Sequence, residues 1–127
     1  MPHKSPDKYL LDMVLASQKI QRFLDGYDKK RFETDDRTIS AVQRQLEIIA
    51  AAAKQIDETT RARFPEIDFS IIVEMQKIIV RDYVNIGLET MWSVVQKQVP
   101  RMIQVMSPYL ERLRKNEPER KPPGSKC

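Results

Sequence analysis

The stretch "ISAVQRQLEIIAAAAKQI", residues 39–56, decides the fold. Its apolar side chains recur at steps of three or four residues, at Ile39, Val42, Leu46, Ile49, Ala53 and Ile56. This spacing places them along one face of an α-helix, as in the seam of a helical bundle. The small side chains in residues 48–53 suit the close approach of another helix. The seam predicts helix packing within this chain, with a second chain, or both.

The sequence before this helix has the same period. Its apolar residues predict a first helix, and they are Tyr9, Leu10, Met13, Val14, Ile20, Phe23 and Leu24. Gly26 is expected to end that helix. Residues 27–34 are interpreted as a polar connection that contains one anchoring phenylalanine, Phe32. Asp35 or Asp36 is then expected to cap the helix that carries the seam.

Two further helices are predicted after the seam. Pro65 breaks the helical pattern, and Asp68 is expected to cap a third helix over residues 69–82. Because the third helix has little polar surface, we expect it to be the central and most buried one. A fourth helix follows, in which Pro100 and Pro108 predict a new start or a bend.

These segments predict an all-α fold, a four- to five-helix bundle over residues 5–114. Residues 115–127 are rich in proline and basic side chains and predict a disordered, flexible tail. No apolar run approaches the length of about 20 residues that spans a bilayer. The first residues also lack the apolar segment of a secretion signal. We therefore predict a cytoplasmic protein without membrane contact.

The net charge and the rarity of histidine and cysteine limit the chemistry that this chain can perform. The formal net charge is +4, and residues 115–127 carry +2 of it. The rest is too mild to predict nucleic-acid binding from charge alone. The single histidine, His3, and the single cysteine, Cys127, lie at the two ends of the sequence. This argues against a metal site, a cofactor, or a catalytic triad built on histidine or cysteine.

The third helix contains an unusual stretch, "EMQKIIVRDY", residues 74–83. Polar side chains interrupt its aliphatic residues. Together with "SPDKYLLDMV", "TDDRTISAVQRQLEIIAAAAKQI", "RFPEIDFSIIVEMQ" and "YVNIGLETMWSVVQKQVPRMI", it resembles the HepT-like branch of the HEPN superfamily. The resemblance covers about residues 5–114. It implies a HEPN-like bundle, a homodimer and a place in a toxin–antitoxin system. It also implies a partner, a nucleotidyltransferase antitoxin.

In the family that this chain resembles, the third helix typically reads Met-Arg-Asn-x-Leu-x-His-x-Tyr, and its arginine and histidine form the ribonuclease site. Here Gln76 stands at the arginine position, Lys77 at the asparagine position and Arg81 at the histidine position. Tyr83 matches the tyrosine, which in some systems is adenylylated. The resemblance therefore makes Gln76 and Arg81 the substituted catalytic positions. Tyr83 is a candidate for modification or partner contact.

The helix of the seam also carries part of the resemblance. The family often has Arg-Asn-Leu-Glu-Ile-Ile-Gly-Glu-Ala there, and this chain keeps Arg44 but has Ala51 in place of the second glutamate. Arg44, Lys77 and Arg81 are therefore predicted to bind RNA. The residues expected to pack are kept, whereas those expected to do chemistry are largely changed.

These changes predict weak or absent ribonuclease activity. Metal-free RNA cleavage moves a proton from the ribose 2′-hydroxyl, which suits histidine with its unperturbed pKa of about 6.5. Arginine stays protonated in proteins, so at position 81 it cannot act as a base. Glutamine at position 76 keeps a donor but loses the charge that would face the phosphate. Catalysis would then need another base, for which Glu74 and Asp82 are the candidates.

Three functions remain open from the sequence. The first is a dimeric HepT-like binding module that binds RNA or a nucleotidyltransferase antitoxin with little or no cleavage. The second is an active, metal-independent ribonuclease that uses altered residues. The third is a structural helical scaffold whose tail makes the functional contacts.

Overall fold

A computed structural model describes residues 5–81 and 86–120, except for the side chains of 78–81, 86 and 116–120. In these ranges the chain forms helices and no β-strand, which confirms the all-α class. The helices are α1 (Pro6–Phe23), α2 (Lys29–Glu33), α3 (Asp36–Lys54), α4 (Glu58–Arg61), α5 (Phe69–Arg81) and α6 (Ile86–Arg120).

The four long helices form the predicted bundle. Both α1 and α5 pack against α3 and α6, so the four surround a common core. Apolar side chains from every long helix are fully buried there, including Leu10, Met13, Leu46, Ile49, Ile72, Met91, Met102 and Met106. Helix α1 runs antiparallel to α6, because Ser17 faces Met102 while Ser5 and Lys8 lie near Leu113 and Arg114.

Helix α3 carries the seam of apolar side chains that was predicted from the sequence. Its fully buried seam members are Val42, Leu46, Ile49 and Ala53. Of the two candidate caps, Asp35 is the one used, because its Oδ1 accepts a hydrogen bond from the Thr38 N–H at 3.2 Å. The seam packs within this chain, against α1 and α5. A seam shared with a second chain stays a prediction.

Helix α5 differs from the expected central, fully buried helix. Its extent, Phe69–Arg81, agrees closely with the predicted 69–82, and Asp68 caps it by accepting the Ile71 N–H at 3.1 Å. However, only one face of its described part is buried, and Ile71 is 47% exposed. The prediction of the most buried helix is therefore wrong. The reason is that the described part of α5 packs mainly against two helices, α3 and α6, which leaves its outer face open.

Helix α6 also differs from the prediction, because it continues through both prolines. Each proline lacks the N–H that would bond to the carbonyl four residues earlier. Pro100 and Pro108 both lie on the exposed face, where water can satisfy those carbonyls. The buried face, with Met102 and Met106, continues unbroken. Residues 115–120 belong to this helix, beyond the predicted end of the bundle at 114. Residues 121–127 of the predicted tail lie outside the described residues.

Two single-turn helices were not predicted, and α2 occupies the segment that was interpreted as a polar connection. Asp28 caps α2 by accepting the Arg31 N–H at 2.8 Å, and Asp57 caps α4 by accepting the Thr60 N–H at 2.9 Å. Phe32 is fully buried within α2, which confirms its predicted role as an anchor. Helices of five and four residues are too short to show a hydrophobic period.

Asp35 joins the segment before α2 to α3 through three accepted hydrogen bonds. Its Oδ2 accepts from the Tyr27 hydroxyl at 2.6 Å and from the Thr38 hydroxyl at 2.9 Å, and its Oδ1 accepts from the Thr38 N–H. Hydrogen bonds to the ionised form favour that form. They lower the pKa of Asp35 to about 2, and the bond from Tyr27 contributes most.

The stability of the fold should therefore fall in acid as Asp35 takes up a proton. Because its pKa is lower in the fold than in the unfolded chain, Asp35 contributes its full stabilisation above about pH 4. This contribution is lost as the pH falls towards 2. Tyr27→Phe should raise the Asp35 pKa towards its ordinary value. The carboxyl ¹³C shift of Asp35, measured by NMR against pH, checks this. Tyr109→Phe is the control and should leave that pKa unchanged, whereas no rise in Tyr27→Phe would contradict the assignment.

Candidate functional site

The start of α5 sets the orientation of the candidate site. The Asp68 N–H donates to the Gln98 Oε1 of α6 at 3.1 Å, and the Asp68 carboxylate caps α5. Ile72 and Met75 then turn into the core and are almost completely buried. This register fixes the directions of the next two side chains, Gln76 and Lys77, which lie one and two residues after Met75.

Gln76 and Lys77 both reach the surface. Gln76 is half-buried, and no hydrogen bond joins its side chain to another residue in the described part of the chain. The Lys77 Nζ lies 3.9 Å from the Glu74 Oε1, and both side chains are well exposed. An exposed ion pair of this kind contributes little to stability. The Gln76 amide and the Lys77 ammonium are therefore both available to a ligand.

Arg44 lies on the neighbouring helix α3 and points to solvent. Its Nη1 lies 3.6 Å from the Glu47 Oε1, one turn further along the same helix. Between the described side chains, no salt bridge or hydrogen bond joins Arg44 to Gln76 or Lys77. Each predicted RNA-binding cation that can be seen here thus has an acidic neighbour on its own helix. The structure does not bring Arg44 and Lys77 into direct contact.

The remaining two predicted site residues fall where side chains are not described. Arg81 is the last residue of α5, but its side chain lies outside the described residues. Tyr83 lies outside them altogether. The roles of Gln76, Lys77, Arg81, Arg44 and Tyr83 in binding, catalysis or modification therefore stay predictions.

Two contacts with α2 hold the first turns of α6 at this end of the bundle. The Lys29 Nζ lies 2.6 Å from the Glu89 Oε2, and this hydrogen bond raises the pKa of Lys29. The rings of Phe32 and Trp92 pack with their centroids 5.3 Å apart. Neither contact was predicted from the sequence. Phe32 was predicted to be an anchor, but the residue that it packs against was not identified.

Two features are absent from the residues that the structure describes. Among them, no group of three or more histidine, cysteine, aspartate or glutamate side chains is placed to hold a metal ion. Within 5–81 and 86–120, no helix has the length and apolar character needed to cross a bilayer. The candidate site therefore consists of amide, ammonium and guanidinium groups, which bind phosphate through hydrogen bonds and charge.

An antiparallel helical bundle with polar and basic side chains near one end belongs to the class of small all-helical proteins that the resemblance predicted. The family described as "Ribonuclease HepT-like" matches residues 13–108, most of the chain. The chain therefore belongs to the HepT-like ribonuclease family, within the HEPN superfamily.

Several curated proteins are similar over most of this chain. "Putative RNase MJ1380" of Methanocaldococcus jannaschii is 26% identical over 102 residues, which cover 80% of this chain and 94% of that protein. "Probable ribonuclease HepT" of Thermococcus cleftensis is 29% identical over 97 residues, covering 76% and 88%.

A longer relative is also similar. "Gamma-glutamylcyclotransferase and putative RNase MJ0434" of M. jannaschii is 30% identical over 114 residues, covering 87% of this chain. The match spans only half of that longer relative. No solved structure matches the chain significantly.

Proposed function

We propose that this chain is an RNA-binding HepT-like protein with weak or no ribonuclease activity. The observation that supports this most directly is the state of the motif on α5. Gln76 and Lys77 present an amide and an ammonium group to solvent, in reach of a phosphate. The family's histidine position holds Arg81, and the chain's single histidine is His3. Groups that hold phosphate are present at the motif, whereas a near-neutral proton carrier is not.

The chemistry follows from this difference. RNA cleavage without a metal needs one group to take the 2′-hydroxyl proton and another to stabilise charge on the phosphate. Lys77 and Arg81 would serve the second need, because both side chain types bind phosphate oxygens. The motif contains no histidine to take that proton, so the bound RNA would remain intact. Arg44 on α3 would add a further phosphate contact.

We further propose that the protein acts in the cytoplasm as a homodimer in a toxin–antitoxin system, with a nucleotidyltransferase antitoxin as partner. Membership of the HepT-like family supports this. Tyr83 is the proposed site of modification or partner contact. Sedimentation of the purified chain and co-purification with the product of a neighbouring nucleotidyltransferase gene test it. A monomer with no partner in both experiments would count against it.

An active ribonuclease is the second candidate, and one observation favours it. Glu74 places an exposed carboxylate 3.9 Å from the Lys77 ammonium and precedes Gln76, the first of the family's catalytic positions, by two residues. A carboxylate and a cation side by side can move a proton and bind phosphate, respectively. The first candidate fits better, because neither of these side chains is buried, and active sites usually shift a carboxyl pKa by burial.

Incubation of the purified protein with single-stranded RNA, with and without EDTA, separates the two candidates. We expect the RNA to be retarded on a native gel and to stay at full length on a denaturing gel. EDTA should change neither result. Cleavage that is lost in Glu74→Gln or Arg81→Ala would overturn the first candidate and establish the second. A protein that neither binds nor cleaves RNA would overturn both.

A further inference from the structure

The second half of α6 holds a concentration of positive charge that the average over the chain conceals. Residues 97–115 contain five basic side chains and one acidic side chain. Their net charge of +4 equals the formal net charge of the entire chain. The net positive charge of the described fold therefore lies mainly on one segment of one helix, because basic and acidic side chains balance over residues 5–81. The candidate site on α5 lies elsewhere.

Four of these basic side chains share one face of α6. With the polar or small residues between them they form the outer stripe, defined as Lys97, Arg101, Gln104, Pro108, Arg112 and Lys115. At 100° per residue these positions fall within a narrow sector of the helix. All are exposed, while Met102 and Met106 on the opposite face are fully buried. The core packing thus fixes the outer stripe towards solvent.

No salt bridge neutralises the cations of the outer stripe in the described part of the chain. Glu111 is the only acidic residue of 97–115; its carboxylate is bonded to Arg114, 2.5 Å away, and it also attracts Lys115. Lys97 and Arg101 each border a groove that contains carboxylates, Asp68 and Glu89 beside Lys97, and Glu58 and Glu66 beside Arg101. The outer stripe still carries a net positive charge, because its own residues include four cations and no carboxylate.

The shape and chemistry of the outer stripe fit a phosphate backbone. It spans 18 helical steps, about 27 Å, while each strand of a duplex places one phosphate in about every 3.4 Å of the duplex axis. Several phosphates can therefore lie along it. A second copy of the same surface is excluded as the occupant, since a two-fold axis would press like charges together. A lipid surface is disfavoured, because Gln104 and Pro108 offer no large apolar side chain to insert.

A groove connects the outer stripe with the end of the bundle where α5 ends and α6 begins. It encloses about 540 Å³ between α5 and α6 and runs from Glu89 and Thr90 to Lys97. Lys97 thus belongs to both the groove and the outer stripe. The exposed side chain of Ile71 also lines this groove and offers apolar surface to a base.

We propose that the outer stripe of α6 binds the phosphate backbone of RNA outside the catalytic motif, independently of base sequence. This rests on the proposed function only in taking RNA as the ligand. Because the outer stripe carries no exposed aromatic ring on which bases could stack, binding should depend on charge rather than on sequence.

The test measures how salt weakens the binding of a fluorescently labelled single-stranded RNA. The logarithm of the association constant falls against the logarithm of the salt concentration with a slope of about −0.7 per neutralised phosphate. The triple variant Lys97→Gln, Arg112→Gln, Lys115→Gln should therefore show a slope less steep by about 2. The matched control, Lys19→Gln, Arg37→Gln, Lys54→Gln, removes the same charges from exposed positions on α1 and α3. It should keep the slope of the parent protein.

Each outcome decides a different point. An unchanged slope in the outer-stripe variant, with tight RNA binding by the parent, overturns the role of the outer stripe and leaves the proposed function standing. Equal loss in both triple variants also overturns it, because the effect would then reflect net charge alone. No RNA binding by the parent overturns both proposals. Binding of anionic lipid vesicles or polyglutamate in preference to RNA would reassign the surface. Circular dichroism of both variants confirms that the helices are retained.

Discussion

Phe32→Ala is expected to lower the free energy of unfolding by about 3–5 kcal/mol, the usual cost of truncating a buried phenylalanine. Phe32 is fully buried on the single-turn helix α2, and its ring packs against Trp92 of α6 at a centroid distance of 5.3 Å. Truncation would leave a cavity beside Trp92. It would also remove the main apolar contact that holds α2 to the bundle, since Lys29 and Glu89 form only an exposed ion pair.

Urea unfolding followed by circular dichroism measures this change. Phe23→Ala is the matched control, because it removes the same side chain from the end of α1, where the residue is 37% exposed. The control should cost much less than Phe32→Ala. Equal costs for the two variants would show that Phe32 is not the anchor of α2. Trp92 fluorescence offers a second measurement, which should respond to Phe32→Ala and not to the control.

The double change Gln76→Arg with Arg81→His is expected to restore ribonuclease activity, by about 10²–10⁴-fold if proton transfer is the main deficit. The histidine supplies a group that exchanges protons near neutral pH. The arginine supplies a charged, bidentate donor for the phosphate. The described packing of α5 supports this expectation, because Ile72 and Met75 anchor the helix in the core just before the motif. The rate of cleavage of a labelled single-stranded RNA measures the gain.

The control for this experiment moves the histidine by several positions along α5. Gln76→Arg with Lys77→His adds the same two residue types but places the imidazole beside the arginine position, so it should not restore cleavage. Equal activity in both double variants would argue that any exposed histidine is sufficient and would contradict the motif. If neither variant cleaves RNA, the site has changed beyond these two positions, and Ala51 is the first residue to examine.

The long helices were predictable from the sequence because each is several turns long. Over α3, the seam repeats often enough to separate a helical period from a β period, and its members are buried. Single-turn helices give no such repeat, so α2 was interpreted as part of a connection and α4 was not identified. Asp28 and Asp57, which cap these two helices, are the residues from which the helices could have been predicted.

The errors in α5 and α6 have a different origin. Counting apolar side chains predicted a fully buried α5, but the exposure of Ile71 depends on how many helices surround it, which only the tertiary structure shows. The prolines of α6 predicted a new start or a bend, and the helix continues without a new start. Whether a proline breaks a helix depends on the face it occupies and on the packing opposite, and both favour continuity here.

The candidate site was found from the order and spacing of its residues. The outer stripe was missed because the charge was averaged over the whole chain. Gln76 and Arg81 were identified because four residues separate them, the spacing of the family's catalytic pair. The net charge of the whole chain is mild and does not indicate a basic surface. Projection of Lys97, Arg101 and Arg112 onto a helix would have shown them on one side. That projection first required knowing that α6 continues through Pro100 and Pro108.

The contact between Phe32 and Trp92 also constrains when this protein can finish folding. Sixty residues separate the two rings along the chain, and the Ser17 hydroxyl of α1 likewise faces the Met102 sulfur across the core, 3.9 Å away. While the chain is being synthesised, α1, α2 and α3 emerge well before the residues that cover their apolar surfaces. The apolar surfaces of α1, α2 and α3 therefore stay incompletely packed until α6 has left the ribosome. Nascent chains halted before residue 92 should consequently be the form that is most dependent on chaperones.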